Sequence, residues 1–220
     1  MNTQRLTMIT AAVIVIAAIG YYFFQRNQAQ PATVNFDGTL DLTNQPMIGG
    51  ADATVEVAAF EDFKCPACKG FEETIYPQLE RDYIRPGKIK FYFVNFAIPL
   101  GEDSNTAANA GECVYEQSND LFWEYKTYLY RSQGDERTSW ATPERLVEIA
   151  QTYVPDVNVE ELKTCIDEDR YATRVQEERA MGVSAGVRGT PTVFVNNQAV
   201  SNVYDYPAFK AVLDAAIGQE

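Results

Sequence analysis

Between residues 46 and 218 the hydrophobic positions follow two different periods. Val55-Glu56-Val57-Ala58-Ala59-Phe60 and Ile89-Lys90-Phe91-Tyr92-Phe93-Val94-Asn95-Phe96 are short β-branched or aromatic runs, the pattern of buried strands. Between them Phe71, Ile75 and Leu79 recur every four residues as the apolar stripe of a helix, with Pro77 placed to kink it. Strand, helix and strand make one βαβ unit, whose crossover should be right-handed. From Phe96 to Thr192 no strand-like run occurs. The helical period instead predicts helices over Asn105 to Gln117, Asn119 to Gln133, Pro143 to Val154 behind an N-cap at Thr142, Val159 to Glu168, and Tyr171 to Met181. Strand character returns at Thr192-Val193-Phe194-Val195, Asn196-Asn197 turns the chain into a second short strand, and Pro207 to Ile217 forms a last helix with Phe209, Val212, Leu213 and Ala216 inward. The fold class is α/β, with a helical block over about residues 100–186 set between two parts of a small sheet.

The first 45 residues obey another rule. Leu6 to Phe24 is nineteen residues without a charge, ending in Tyr21-Tyr22-Phe23-Phe24 and followed by Arg26. That length suits a helix crossing the hydrocarbon core, and the aromatics suit the interface. A cleaved signal peptide is the competing reading, although the apolar stretch is long for one and no small-x-small site follows Phe24. The organisation expected is a cytoplasmic tail (1–5), a transmembrane signal-anchor helix (6–24), a polar linker (25–45) and one domain (46–218). Arg5 and Arg26 flank the apolar segment on either side, so the positive-inside bias alone barely orients it.

Charge and composition then narrow the chemistry. With those two arginines set aside, 16 basic face 31 acidic residues, a net −15. Such a surface excludes nucleic-acid binding and argues against extended contact with anionic headgroups. Asp167-Glu168-Asp169 lacks the glycine and spacing of a calcium loop and reads as a solvated helix end. The sequence contains no histidine, which removes Ser-His-Asp and Cys-His catalysis and every His-bearing zinc or haem site.

Cys65-Pro66-Ala67-Cys68 falls where the first strand gives way to the first helix. There Cys65 sits near the helix N-cap, where unpaired N–H groups and the positive end of the macrodipole stabilise a thiolate. Pro66 takes the first helical position at no cost in hydrogen bonds, and Cys68, one turn in, is the more buried partner. Cys65 is therefore the attacking sulfur and Cys68 the resolving one. A Cys-x-x-Cys alone also fits half of a zinc site or two unrelated core residues.

Far downstream, Gly189-Thr190-Pro191-Thr192 precedes the returning strand. Together with Asp62-Phe63-Lys64-Cys65-Pro66-Ala67-Cys68-Lys69-Gly70-Phe71 it resembles the thioredoxin superfamily, and within it the DsbA-type thiol-disulfide oxidoreductases, above all their membrane-anchored, BdbD-like members. The resemblance covers about residues 45–218. It implies a thioredoxin-like fold with an inserted helical domain, and a cis Thr190-Pro191 bond packed opposite the dithiol. It implies protein-disulfide oxidoreductase activity by exchange through Cys65 and Cys68, without a cofactor or metal. An oxidising pair has its work outside the cytosol, where disulfides persist, which places the domain extracytoplasmically on a single-pass membrane anchor.

Four cysteines allow three connectivities, and with Cys65 and Cys68 committed to each other by spacing, Cys113 with Cys165 remains. Some DsbA-like proteins carry a comparable second bridge. Closing about fifty residues would stabilise by up to about 4 kcal/mol in the chain-entropy model. Two free thiols, or a second pair relaying electrons, are the alternatives.

Two departures from the family pattern bear on the chemistry. Where strongly oxidising members often have His between the active-site proline and cysteine, this chain has Ala67, so a milder potential is expected. Where the family commonly has a buried acid six residues before the first cysteine, it has Ala59. Glu61, on the same strand face, is a substitute, or else an exposed charge at a strand end. Lys64 and Lys69 either favour the thiolate or simply face solvent. The partners implied are unfolded or reduced exported proteins, taken up by backbone pairing near Thr190 and Pro191, and a membrane quinone-linked reoxidising partner similar to DsbB or a vitamin K epoxide reductase homologue. A monomer is expected. A reductase or isomerase of the same fold is the alternative, and a soft-metal protein holding its ion on Cys65 and Cys68 is a third reading.

Overall fold

The computed structural model describes residues 38–218. Its sheet has the order β1-β3-β2-β4-β5, where β1 is Met47–Gly49, β2 Glu56–Glu61, β3 Lys90–Asn95, β4 Thr192–Val195 and β5 Gln198–Ala199. β2 and β3 are parallel, with Val57 opposite Phe91 and Glu61 opposite Asn95, while the remaining neighbours pair antiparallel. Between β2 and β3 run α1 (Pro66–Thr74), α2 (Tyr76–Leu79) and a π-helical turn (Glu80–Ile84). The single kinked helix expected here is thus three pieces. Pro77 stands in the first turn of α2, where it has no N–H to bond the Glu73 carbonyl, and α1 ends at Thr74.

The helical block consists of α3 (Asp103–Tyr115), α4 (Asn119–Arg131), α5 (Pro143–Tyr153), α6 (Val159–Asp167) and α7 (Ala172–Ser184), and α8 (Tyr206–Ile217) follows the last strand. Side chains at three of the junctions explain their places: Thr142 accepts from Arg145 N at 3.3 Å, Asn158 from Glu161 N at 3.1 Å and Asp205 from Ala208 N at 3.1 Å. Cys113 on α3 and Cys165 on α6 are joined by a disulfide with a Cα separation of 6.0 Å, closing a stretch of 52 residues.

Strand alternation distributes the apolar side chains over two cores. Val57, Ala59, Phe91, Phe93, Val193 and Val195 face the larger one, shared with α1, α4 and the helical block. Ala58, Phe60, Val94, Phe96 and Phe194 face a smaller one with Ala185 and Val187. α7 reaches this second face because residue 182 is glycine: a Cβ there would lie 2.6 Å from the Phe96 ring. Leu40 and Leu42 are buried in the same cluster, so packed structure includes the end of the segment read as linker.

β1 was not expected from the pattern. It is only three residues long, and Gly49, at φ +120°, has no room for a Cβ, which would meet Ile89 O at 2.2 Å. Among the described residues no helix is long and apolar enough to cross a membrane. The transmembrane reading of 6–24 lies outside the described residues.

Candidate active site

β2 carries the chain into a tight turn before α1. The Asp62 carboxylate holds that turn: it accepts from Lys64 N at 2.7 Å, Ile98 N at 2.8 Å and Ser104 Oγ at 3.2 Å, and Cys65 N donates to the Asp62 carbonyl at 3.0 Å. Cys65 then occupies the N-cap of α1 in extended conformation, with Pro66 at the first helical position. Gln133, just beyond α4, donates to the carbonyls of Phe63 at 2.7 Å and Cys65 at 3.1 Å. Tyr204, in the turn before α8, donates its hydroxyl to the Ala67 carbonyl.

The two thiols are free and differently placed. Cys65 is 6% exposed and Cys68 is fully buried. Thr190-Pro191 is a cis peptide, and the Cys65 thiol donates to the Thr190 carbonyl at 3.4 Å, so the loop before β4 closes on Cys65. Hydrogen bonding with Cys68 lowers Cys65 to about 6 against the cost of burial, aided by the Thr190 side chain and the N–H groups of Cys68 and Ala67. Burial pushes Cys68 the other way, well above its ordinary value, reinforced by hydrogen bonding to Cys65 and the charge of Glu61. Asp62 N lies 3.5 Å from the Cys68 sulfur. The arrangement has the geometry for thiol-disulfide exchange, with one sulfur ready to bear charge and one resisting it.

Glu61 is not an exposed strand end. It is fully buried on the face of β2 that also carries Val57 and Ala59, its Oε2 accepts from Tyr130 Oη at 2.8 Å, and its Oε1 has no partner. Burial raises its carboxyl to about 7, offset in part by the charge of Lys126. Lys64 does not face solvent. Its ammonium is buried and committed to Asp103 at 2.5 Å, Leu100 O at 2.8 Å and Thr138 O at 2.9 Å, tying three loops together. Lys69 lies 3.8 Å from Glu73 at the partly exposed surface.

Tyr130, Lys126, Glu72, Gln133 and Tyr204 were not singled out from sequence. Two of them left a signal. Lys126 falls on the apolar stripe of α4, four residues after Phe122 and three before Leu129, and Glu72 adjoins Phe71 on the inward side of α1; both are buried. A charge on such a stripe needs a partner, and these two are each other's.

With this geometry in place, comparison with known proteins is informative. A thioredoxin family model matches residues 41–215. Disulfide bond formation protein D of Bacillus subtilis is 32% identical over 188 residues, covering 86% of this chain and 84% of the relative. A probable disulfide bond formation protein D of Bacillus anthracis is 34% identical and covers 78% of each. The crystal structure of oxidised BdbD from Bacillus subtilis superposes with a TM-score of 0.78 at 32% identity, covering 84% of this chain and 98% of that one. The structure of Chlamydia trachomatis DsbA, at 23% identity and a TM-score of 0.69, shares the fold. A dithiol at a helix N-terminus, the loop of Thr190 and Pro191 closing on it, and relatives matched along most of both chains lead to one assignment: the chain belongs to the DsbA-type thiol-disulfide oxidoreductases of the thioredoxin superfamily.

Proposed function

We propose that this oxidoreductase works outside the cytoplasm and introduces disulfides into exported, unfolded proteins. The contrast between the two sulfurs carries the reading: Cys65 lies at the mouth of the site with its charge met by hydrogen bonds, and Cys68 is sealed beneath it. A substrate thiolate attacks the Cys65 sulfur of the oxidised enzyme. The new bond joins substrate to Cys65, the Cys65–Cys68 bond breaks, and its electron pair stays on Cys68, which takes a proton from Glu61. A second substrate thiolate attacks the substrate sulfur of the mixed disulfide and expels Cys65 as thiolate. The substrate has lost two electrons and the enzyme has gained them.

Every interaction that favours the Cys65 thiolate favours reduced enzyme, and so makes the disulfide a stronger oxidant. The loop of Thr190 and Pro191 offers backbone to an extended substrate, which suits clients of little sequence preference. The reduced enzyme passes its electrons to a membrane quinone-linked partner of the DsbB or vitamin K epoxide reductase kind, beside which the apolar segment 6–24 would hold it. The names of the Bacillus relatives support this direction of flow.

The test is the redox equilibrium of the full chain across glutathione buffers, read by alkylation and mass spectrometry. A Cys65/Cys68 potential well above the thioredoxin value of about −270 mV, and below DsbA's of about −120 mV because Ala67 supplies no charge, is expected. A potential at or below the thioredoxin value would make the protein a reductase instead.

A further inference from the structure

We propose that Gln133, from the linker between α4 and α5, is a positioning residue for Cys65: its amide fixes the carbonyls of the active-site turn so that the neighbouring N–H groups stay aimed at the sulfur. The inference deepens the reading of Cys65 as the exchanging sulfur. Its test reads that sulfur alone, so it stands or falls apart from the direction in which electrons flow.

The backbone polar groups of the turn are held from two sides. Asp62 takes the N–H groups: its carboxylate accepts from Lys64 N at 2.7 Å and its carbonyl from Cys65 N at 3.0 Å. Gln133 takes the carbonyls. Its Nε2 donates to Phe63 O at 2.7 Å and to Cys65 O at 3.1 Å, one amide hydrogen for each, and Cys65 O also accepts from Lys69 N at 3.2 Å. These bonds lie on either side of Lys64 and hold Cys65 in the extended conformation of an N-cap, with φ −74° and ψ 118°.

Gln133 is itself fixed in place. Its N–H donates to Tyr130 O at 3.2 Å as α4 ends. The linker folds back on itself where Gly134 leaves room for Trp140, since a Cβ there would lie 2.8 Å from that side chain. Two further bonds pin the linker to the loops around the turn: Lys64 Nζ donates to Thr138 O at 2.9 Å, and Ala141 N to Asp103 Oδ2 at 3.1 Å.

The effect on the chemistry follows from the sign of the dipoles. Carbonyl oxygens near a thiolate oppose its charge, and N–H groups favour it. Gln133 offsets two of the carbonyls and, by fixing Cys65, keeps the N–H groups of Ala67 and Cys68 on the sulfur. The titratable groups around that sulfur are Cys68 on α1, Glu61 on β2 and Tyr204 before α8, while Lys64 and Lys69 are paired with Asp103 and Glu73. Gln133 carries no charge, so it acts by its hydrogen bonds alone.

The test is the pH profile of Cys65 alkylation by iodoacetamide in the reduced full chain, mapped by mass spectrometry. Gln133→Met keeps the length of the side chain and removes both donors. Its midpoint should rise by at least about half a pH unit, with an alkylation rate at about pH 5 roughly threefold below the parent's. Gln133→Lys restores donors at the same reach, and its midpoint should lie at or below the parent's. A residue that only filled space would make the two variants alike, and a sulfur merely more exposed would react faster at high pH with its midpoint in place. A parent midpoint in Gln133→Met, or a midpoint in Gln133→Lys raised as far as in Gln133→Met, overturns the inference. Should Gln133→Met not fold, Gln133→Asn decides. Its amide is one methylene short of spanning both carbonyls, so its midpoint should rise likewise, and a parent value there overturns the inference equally.

Discussion

Cys65 and Cys68 are the same chemical group three residues apart, and their surroundings separate them. Burial disfavours both thiolates; at Cys65 hydrogen bonding with Cys68, aided by Thr190 and the N–H groups of Cys68 and Ala67, outweighs it, whereas at Cys68 the N–H of Asp62 does not. In the native reduced protein iodoacetamide should therefore modify Cys65 with a midpoint at about pH 6 and leave Cys68 untouched until unfolding, which mass mapping of the alkylated chain would check. Glu61 makes a second prediction, in stability. Its folded value is raised from 4.5 to about 7, so the stability present below pH 4.5 is lost as pH rises through 7. Glu61→Gln should match the parent near pH 4 and exceed it by up to about 3 kcal/mol near pH 8, as read by urea denaturation of the reduced protein. A gain already present at pH 4 would mean that packing and not charge is responsible. Of these three residues the cysteines were legible from spacing alone. The burial of Glu61 was not, because alternation puts it in line with Val57 and Ala59, yet its place at the strand end argues equally for solvent. What decides is Tyr130, sixty-nine residues away, which supplies the partner that makes burial possible.

At the scale of elements, the helical block is held by its own packing and by the one disulfide between α3 and α6. Replacing Cys113 and Cys165 together by alanine should cost about 2–5 kcal/mol in denaturant unfolding. The Cys65/Cys68 potential of that variant should stay as in the parent, since the bridge touches none of the groups that set it; a change would show a redox link between the pairs. Elements with ten or more residues of unbroken period were read from sequence nearly to their ends, as α4, α5 and α8 illustrate. Those that depend on a neighbour were not. β1 has three residues and exists because β3 offers it an edge, and the break of α1 from α2 comes from a proline whose effect on the helix depends on the packing of Ile75 and Leu79.

For the whole molecule, redox state and folding are coupled, because the group that titrates at the active site also holds part of the fold's free energy. Cys65 falls from 9.0 to about 6 on folding. A depressed group adds stability above its unfolded value and loses it as pH falls through the folded one, so the contribution of Cys65 to the stability of the reduced protein should grow from pH 6 to pH 9. The gain should be about 2 kcal/mol once solvent screening at the exposed edge of the sulfur is allowed for. The oxidised protein has no thiol to titrate there and lacks this rise. Glu61 works against it below pH 7, so the net slope of the reduced form should turn upward only after Glu61 has given up its proton. Guanidinium unfolding of both redox forms at intervals across this range measures the difference directly. A reduced form that pulls ahead of the oxidised one toward pH 9 is what an oxidising disulfide requires, since the free energy that favours the reduced fold is the same free energy that drives electrons from substrate to enzyme. Parallel curves for the two forms would mean that the hydrogen bonds at Cys65 act equally on thiol and thiolate, and the oxidant's driving force would then have to lie outside the dithiol.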